Sequence, residues 1–186
     1  RNTALGRGTL QNLNYDGNGY NTAVGYEAGN DVTTGVENAI VGGLAGDAMT
    51  TGSYNAVLGT SALGANTKSN ANVAIGNSAL ASHNLTSSTA AYNVAIGFNA
   101  GLSVSTGVQN TIIGGLAGDA LTTGTNNVAM GYGALGSEDT GGQNVAIGVN
   151  ALNTANYDGN GLNVAVGYGA GSAVTTGVEN VIVGGN

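Results

Sequence analysis

The sequence predicts an all-β protein: a parallel β-solenoid of about 10–11 coils with a period near 17 residues. Three observations predict it. First, a run of Asn, three mainly apolar residues and Gly begins at Asn2, Asn21, Asn38, Asn55, Asn72, Asn93, Asn110, Asn127, Asn144, Asn163 and Asn180. The gaps are 19, 17, 17, 17, 21, 17, 17, 17, 19 and 17 residues, and a fixed short period decides the architecture. Second, the chain has 35 Gly and no Pro. Helix is disfavoured, because each interior Gly costs about 1 kcal/mol relative to Ala. Collagen is excluded, because no Gly falls at every third residue. Third, 41% of residues are hydrophobic and periodically placed, against 7% charged, which is the opposite of a disordered composition.

Each run supplies a short strand. Val94-Ala95-Ile96 is a β-favouring triad between Asn93 and Gly97, and its relatives include Val73-Ala74-Ile75 and Val145-Ala146-Ile147. Alternate strand residues face opposite sides, so Val94 and Ile96 form one wall and Ala95 the other. The expected core is the third residue of each triad: Val24, Val41, Leu58, Ile75, Ile96, Ile113, Met130, Ile147, Val166 and Val183. The recurring Asn residues, Asn21 to Asn180 in the series above, are expected to form a hydrogen-bonded ladder at a corner. After the Gly, the chain runs through Ala to a Thr-Thr-Gly or Ser-Thr-Gly turn. A second extended piece then leads to the next Asn, giving two strands and two corners per coil. Gly at the corners supplies positive φ.

A longer period overlies the first. Tyr15-Asp16-Gly17-Asn18-Gly19 recurs at Tyr157-Asp158-Gly159-Asn160-Gly161, and Gly42-Gly43-Leu44-Ala45-Gly46-Asp47 recurs at Gly114-Gly115-Leu116-Ala117-Gly118-Asp119. Four runs make a super-repeat of about 70–72 residues, each with one long unit, starting at Asn2, Asn72 and Asn144. Residues 1–186 read as one solenoid segment without a linker. It starts and stops in mid-pattern, as a piece of a longer shaft would.

A strand apolar on both faces is normally covered on both. With no helix to cover the Ala-side face, another copy of the same wall is the expected cover, and a thin core gains stability from such contacts.

The run Asn72-Val73-Ala74-Ile75-Gly76-Asn77-Ser78-Ala79-Leu80 resembles the head repeats of trimeric autotransporter adhesins. Asn21-Thr22-Ala23-Val24-Gly25-Tyr26 is closer still to repeats of phage and other viral tail-fibre proteins. The resemblance covers essentially the whole chain, although the period is longer than in the adhesin heads. It implies a left-handed parallel β-roll in a homotrimer. It also implies a structural shaft, extracellular on a virion appendage or a cell surface, that supports attachment to a host receptor or glycan through loops or flanking domains. Two alternatives remain open at this point: a bacterial surface adhesin whose roll binds matrix or glycans directly, and a monomeric ligand- or ice-binding solenoid.

The net charge of -7, with Arg1, Arg7 and Lys68 the only bases, argues against nucleic acid. No apolar run reaches the roughly 20 residues of a membrane-spanning helix. Enzyme chemistry has no visible apparatus. Gly131-Tyr132-Gly133-Ala134-Leu135-Gly136 spells a dinucleotide motif, but a turn follows where a helix is required. His83, the only His, has no acid between Asp47 and Asp119 to orient it and is expected to be exposed on the longest loop. No cofactor is expected. The one partial ligand set is for Ca2+, at Asp16, Asn18, Asp158 and Asn160, where a lengthened turn is the plainer meaning. Tyr26, Phe98, Tyr132 and Tyr168 follow the motif Gly and are expected to pack as an aromatic ladder between coils or chains, the other reading being glycan stacking. The Thr pairs at Thr33-Thr34, Thr50-Thr51, Thr122-Thr123 and Thr175-Thr176 read as turn residues rather than an ice-binding array.

Overall fold

A computed structural model describes residues 1–186 as a parallel β-solenoid of eleven turns without helix. Each coil contributes one three-residue strand: β1 (Thr3–Leu5), β2 (Thr22–Val24), β3 (Ala39–Val41), β4 (Ala56–Leu58), β5 (Val73–Ile75), β6 (Val94–Ile96), β7 (Thr111–Ile113), β8 (Val128–Met130), β9 (Val145–Ile147), β10 (Val164–Val166) and β11 (Val181–Val183). They form one sheet in chain order, in register, so that Val94 lies beside Val73 and Thr111. At strand spacing, eleven coils extend about 50 Å.

The second strand expected in each coil is absent. The remaining residues are turns and bends, yet they bond from coil to coil. Of 111 backbone hydrogen bonds, 91 involve at least one residue outside the strands. Gly101 N–H, for example, donates to Ala117 C=O at 3.0 Å, and Ser105 N–H to Thr122 C=O at 2.9 Å. Hydroxyls reinforce this wall: Thr33, Thr50 and Thr122 each donate to the neighbouring coil, at 3.1, 2.9 and 2.8 Å.

These walls are not extended because the chain repeatedly enters the left-handed region. Counting the motif Asn as position 0, position 4 is Gly in every coil, with φ between +132° and +141°. A Cβ on Gly97 would lie 2.5 Å from the carbonyl oxygen of Gly114, so neighbouring coils meet here backbone to backbone. Gly is not alone in the left-handed region. Leu80, Leu135, Tyr54 and Glu37 hold φ of +51°, +55°, +63° and +57°. Such residues cost of order 1 kcal/mol each and persist only where the surroundings fix them. Here the neighbouring coil does so: Glu37 N–H donates to Gly19 C=O at 2.7 Å.

The interior is narrow, and small residues line it. Position 2 points inward (Ala23, Ile40, Val57, Ala74, Ala95, Ile112, Ala129, Ala146, Ala165), as does the Ala at position 7 from Ala28 to Ala170. Position 8 alternates between buried Leu (Leu63, Leu80, Leu135, Leu152) and Gly (Gly29, Gly46, Gly101, Gly118, Gly171). Ile at position 2 compensates for Gly at position 8. Ile40 Cδ1 would sit 2.9 Å from a Cβ on Gly29, and Ile112 Cδ1 3.0 Å from one on Gly101. The four-coil super-repeat is therefore a packing period: Leu, Gly, Gly, Leu at position 8, with Ile in the second Gly coil.

Candidate functional site

The assignment of faces corrects the sequence expectation. Val24, Val41, Leu58, Ile75, Ile96, Ile113, Met130, Ile147, Val166 and Val183 do not fill the core; they are half-buried or exposed on the outer side of the sheet. Leu58 is 49% exposed, while its strand neighbour Val57 is buried. The physical reason is room. A roll this thin accommodates Ala and an occasional Ile, not one bulky branched side chain per coil from this wall.

The motif Asn shares the inward face with position 2. Asn21, Asn38, Asn55, Asn72, Asn93, Asn110, Asn127, Asn144 and Asn163 are buried inside the roll. Asn38 Nδ2 donates to Asn21 Oδ1 at 3.0 Å and to Gly52 C=O at 2.9 Å, and Asn38 N–H also donates to Asn21 Oδ1 at 3.0 Å. Asn180, at the end of the series, donates from Nδ2 to Asn163 Oδ1 at 2.9 Å. A buried amide left unpaired would cost a few kcal/mol, so pairing it in series is what makes its burial tolerable.

The side-chain link is missing at some rungs, in long coils and also between Asn110 and Asn127, which are 17 residues apart. Between Asn72 and Asn93 only the backbone N–H of Asn93 reaches Asn72 Oδ1, at 3.3 Å. Between Asn144 and Asn163 the Tyr157 hydroxyl intervenes, donating to Asn144 Oδ1 and accepting from Asn163 Nδ2.

His83 and Glu138 both lie inside the roll. Both occupy position 11, the row that elsewhere holds Val32, Met49, Val104 and Leu121. His83, expected on the surface, is fully buried, and neither ring nitrogen has a hydrogen-bond partner. Burial pushes its pKa down to about 4, with the Ser105 backbone the only opposing influence. Glu138 accepts from Gly141 N–H at 2.7 Å through Oε1, while Oε2 is unpaired; burial raises its pKa. Superposing the repeats in the sequence would have put both residues in an apolar row. The polarity of His83 alone suggested the surface.

No chemistry-bearing cluster forms. His, Asp and Glu side chains nowhere converge in threes to hold a metal. Asp16, Asn18, Asp158 and Asn160 are exposed on the long-coil turns, where Asp158 Oδ1 accepts from the Thr140 hydroxyl at 3.4 Å. Gly131–Gly136 leads into turns rather than a helix. One shallow recess, lined by Ala170, Val174 and Ile182 among others, carries no titratable side chain.

The most distinctive surface is the outer sheet face. Positions -1, 1, 3 and 5 point outward together: Tyr92, Val94, Ile96 and Phe98 in one coil. Position 3 is apolar in all eleven strands, and position 1 beside it is Val, Ala or Thr; rows that carry Tyr20, Tyr54 and Tyr92 on one side and Tyr26, Phe98, Tyr132 and Tyr168 on the other flank them. The second set does not pack ring on ring between coils. Phe98, Tyr132 and Tyr168 are two coils apart, about 10 Å, beyond the 4.5–7 Å of aromatic pairs. Compared with family models, curated proteins and solved structures, the chain matches none of them.

Proposed function

We propose that the chain is a structural, non-enzymatic shaft segment of a homotrimeric fibre, a left-handed β-roll like those its repeats resemble. It would be displayed outside a cell or on a virion in support of attachment to a host receptor or surface glycan. The observation that carries this reading is the outer face. A continuous apolar stripe about 50 Å long is more than a monomer ordinarily leaves open to water. Ile147 and Val41 are each 37% exposed and Leu58 49%, although all three sit in the middle of the sheet rather than at its ends. Copies of the same chain, packed with their axes parallel, cover it in register. The mechanism is mechanical: ladders of backbone, Asn and hydroxyl bonds make a stiff rod. No bound metal or cofactor enters this reading, nor does nucleic acid or a membrane.

Sedimentation equilibrium on the purified segment tests it. The expected mass is that of three chains. A stable single-chain mass at micromolar concentration contradicts the fibre reading and favours the monomeric solenoid.

A further inference from the structure

We propose that Phe98, Tyr132 and Tyr168 form a stacking platform for an extended, neutral β-1,4-linked glycan running along the solenoid axis. The inference deepens the attachment reading and rests on it in one respect: copies meet through positions 1 and 3, which leaves position 5 at the rim.

The first support is spacing. At position 5, the even coils from coil 2 to coil 10 carry Tyr26, Thr60, Phe98, Tyr132 and Tyr168. The intervening coils carry Gly43, Asn77, Gly115 and Val149, with Arg7 before them. Rings therefore recur every second coil, about 10 Å apart. That interval is close to the length of one disaccharide in an extended β-1,4 chain, so every second sugar would meet a ring. Solenoid sterics do not impose it, since rings one coil apart would stack at a favourable distance.

The second support is orientation. A Cβ on Gly115 would lie 3.6 Å from the Tyr132 ring, so that ring leans across the glycine of the preceding coil. Phe98, Tyr132 and Tyr168 are 59%, 56% and 64% exposed, far more than a packing role within the chain requires. Tyr26 is set apart, because the Arg7 guanidinium covers its ring at 5.8 Å from the centroid.

The third support is charge. The only cations are Arg1, Arg7 and Lys68, none of which lies in the coils carrying this platform. The chain is strongly acidic, which disfavours sulfated or sialylated glycans and leaves a neutral one.

The test is titration calorimetry of the assembled protein with cellohexaose and chitohexaose, and with the two corresponding disaccharides. The expected result is that at least one hexasaccharide binds, tenfold or more tighter than its disaccharide; which one binds identifies the sugar. Phe98→Ala and Tyr132→Ala should each weaken binding about tenfold, and Tyr132→Phe should retain it. Sedimentation and melting of the same variants should be unchanged. No binding of either hexasaccharide to a protein of three-chain mass overturns the platform alone. Binding indifferent to both Ala variants overturns it too. Loss of assembly in the Ala variants would assign the row to contacts between copies and likewise overturn it.

Discussion

A Cβ on Gly101 would lie 3.0 Å from Ile112 Cδ1, so the glycine of one coil makes room for the isoleucine of the next. The same fit joins Gly29 to Ile40 and Gly171 to Ile182, at 2.9 and 3.0 Å. Ile112→Ala should therefore leave a cavity and cost about 2–4 kcal/mol of unfolding free energy. Gly101→Leu alone should overpack. The double variant should recover part of the loss, because the same two positions in coils 9 and 10 already hold Leu152, at φ +48°, and Ala165. Chemical denaturation of the three variants measures the coupling; strict additivity would show that the two sites do not share the space.

Gly97→Ala should be among the most damaging small substitutions. It adds a methyl 2.5 Å from the Gly114 oxygen at a φ of +141°, with backbone on both sides and nothing free to yield. A cost above about 3 kcal/mol is expected, typical of combined clash and strain. Gly43→Ala is the control, since a Cβ there meets nothing within 4 Å. Comparison of melting temperatures checks the pair.

The ladder predicts that Asn110→Ala costs about 2–4 kcal/mol, since each buried group left unpaired costs roughly 1–3 kcal/mol. Gly124 C=O loses the Nδ2 donor at 2.9 Å, and Asn127 N–H loses the Oδ1 acceptor at 3.0 Å. Denaturant unfolding gives the number. Amide exchange should rise locally at Asn127 and in coils 7 and 8.

Two interior groups give stability opposite slopes against pH. His83 is held neutral, with its pKa at about 4 against an ordinary 6.5. As pH falls from 6.5 toward 4, the unfolded chain takes up a proton that the fold refuses, so stability falls across that window by about 3 kcal/mol. His83→Leu, which copies Leu13 of the same row, should abolish that slope. Glu138 acts in the other direction. Its raised pKa means that the unfolded chain ionises first, so stability falls as pH rises past the ordinary carboxylate range. Glu138→Gln should remove this loss. Unfolding free energies at a series of pH values, for wild type and both variants, check the signs.

The solenoid was legible because its period is physical: each coil repeats the contacts of the last, so Asn, Ala and Gly recur in step. The faces were harder. Val94 and Ile96 look like core by hydrophobicity, and only the parity shared by Asn93 and Ala95 shows which side is inside. A buried Asn needs a partner above and below, which the interior supplies and an exposed wall does not. The extra strand was misplaced because Leu80 and Glu37 adopt positive φ against their own preference, under bonds from neighbouring coils that no local window contains. His83 was misplaced because residue type was weighed above place in the repeat. The two-coil alternation of rings was fully present in the sequence, but it emerges only once the outer rows are known.

The central claim is that the small face of each strand is the core and the large face is the contact between copies. Ala146→Asp and Ile147→Asp, adjacent in β9, separate the two. By circular dichroism and sedimentation together, Ala146→Asp should lose the β signal, because a charge enters the closed interior. Ile147→Asp should keep the β signal while the mass falls from three chains to one. The reverse pattern, or an Ile147→Asp protein that keeps its three-chain mass, would contradict the account.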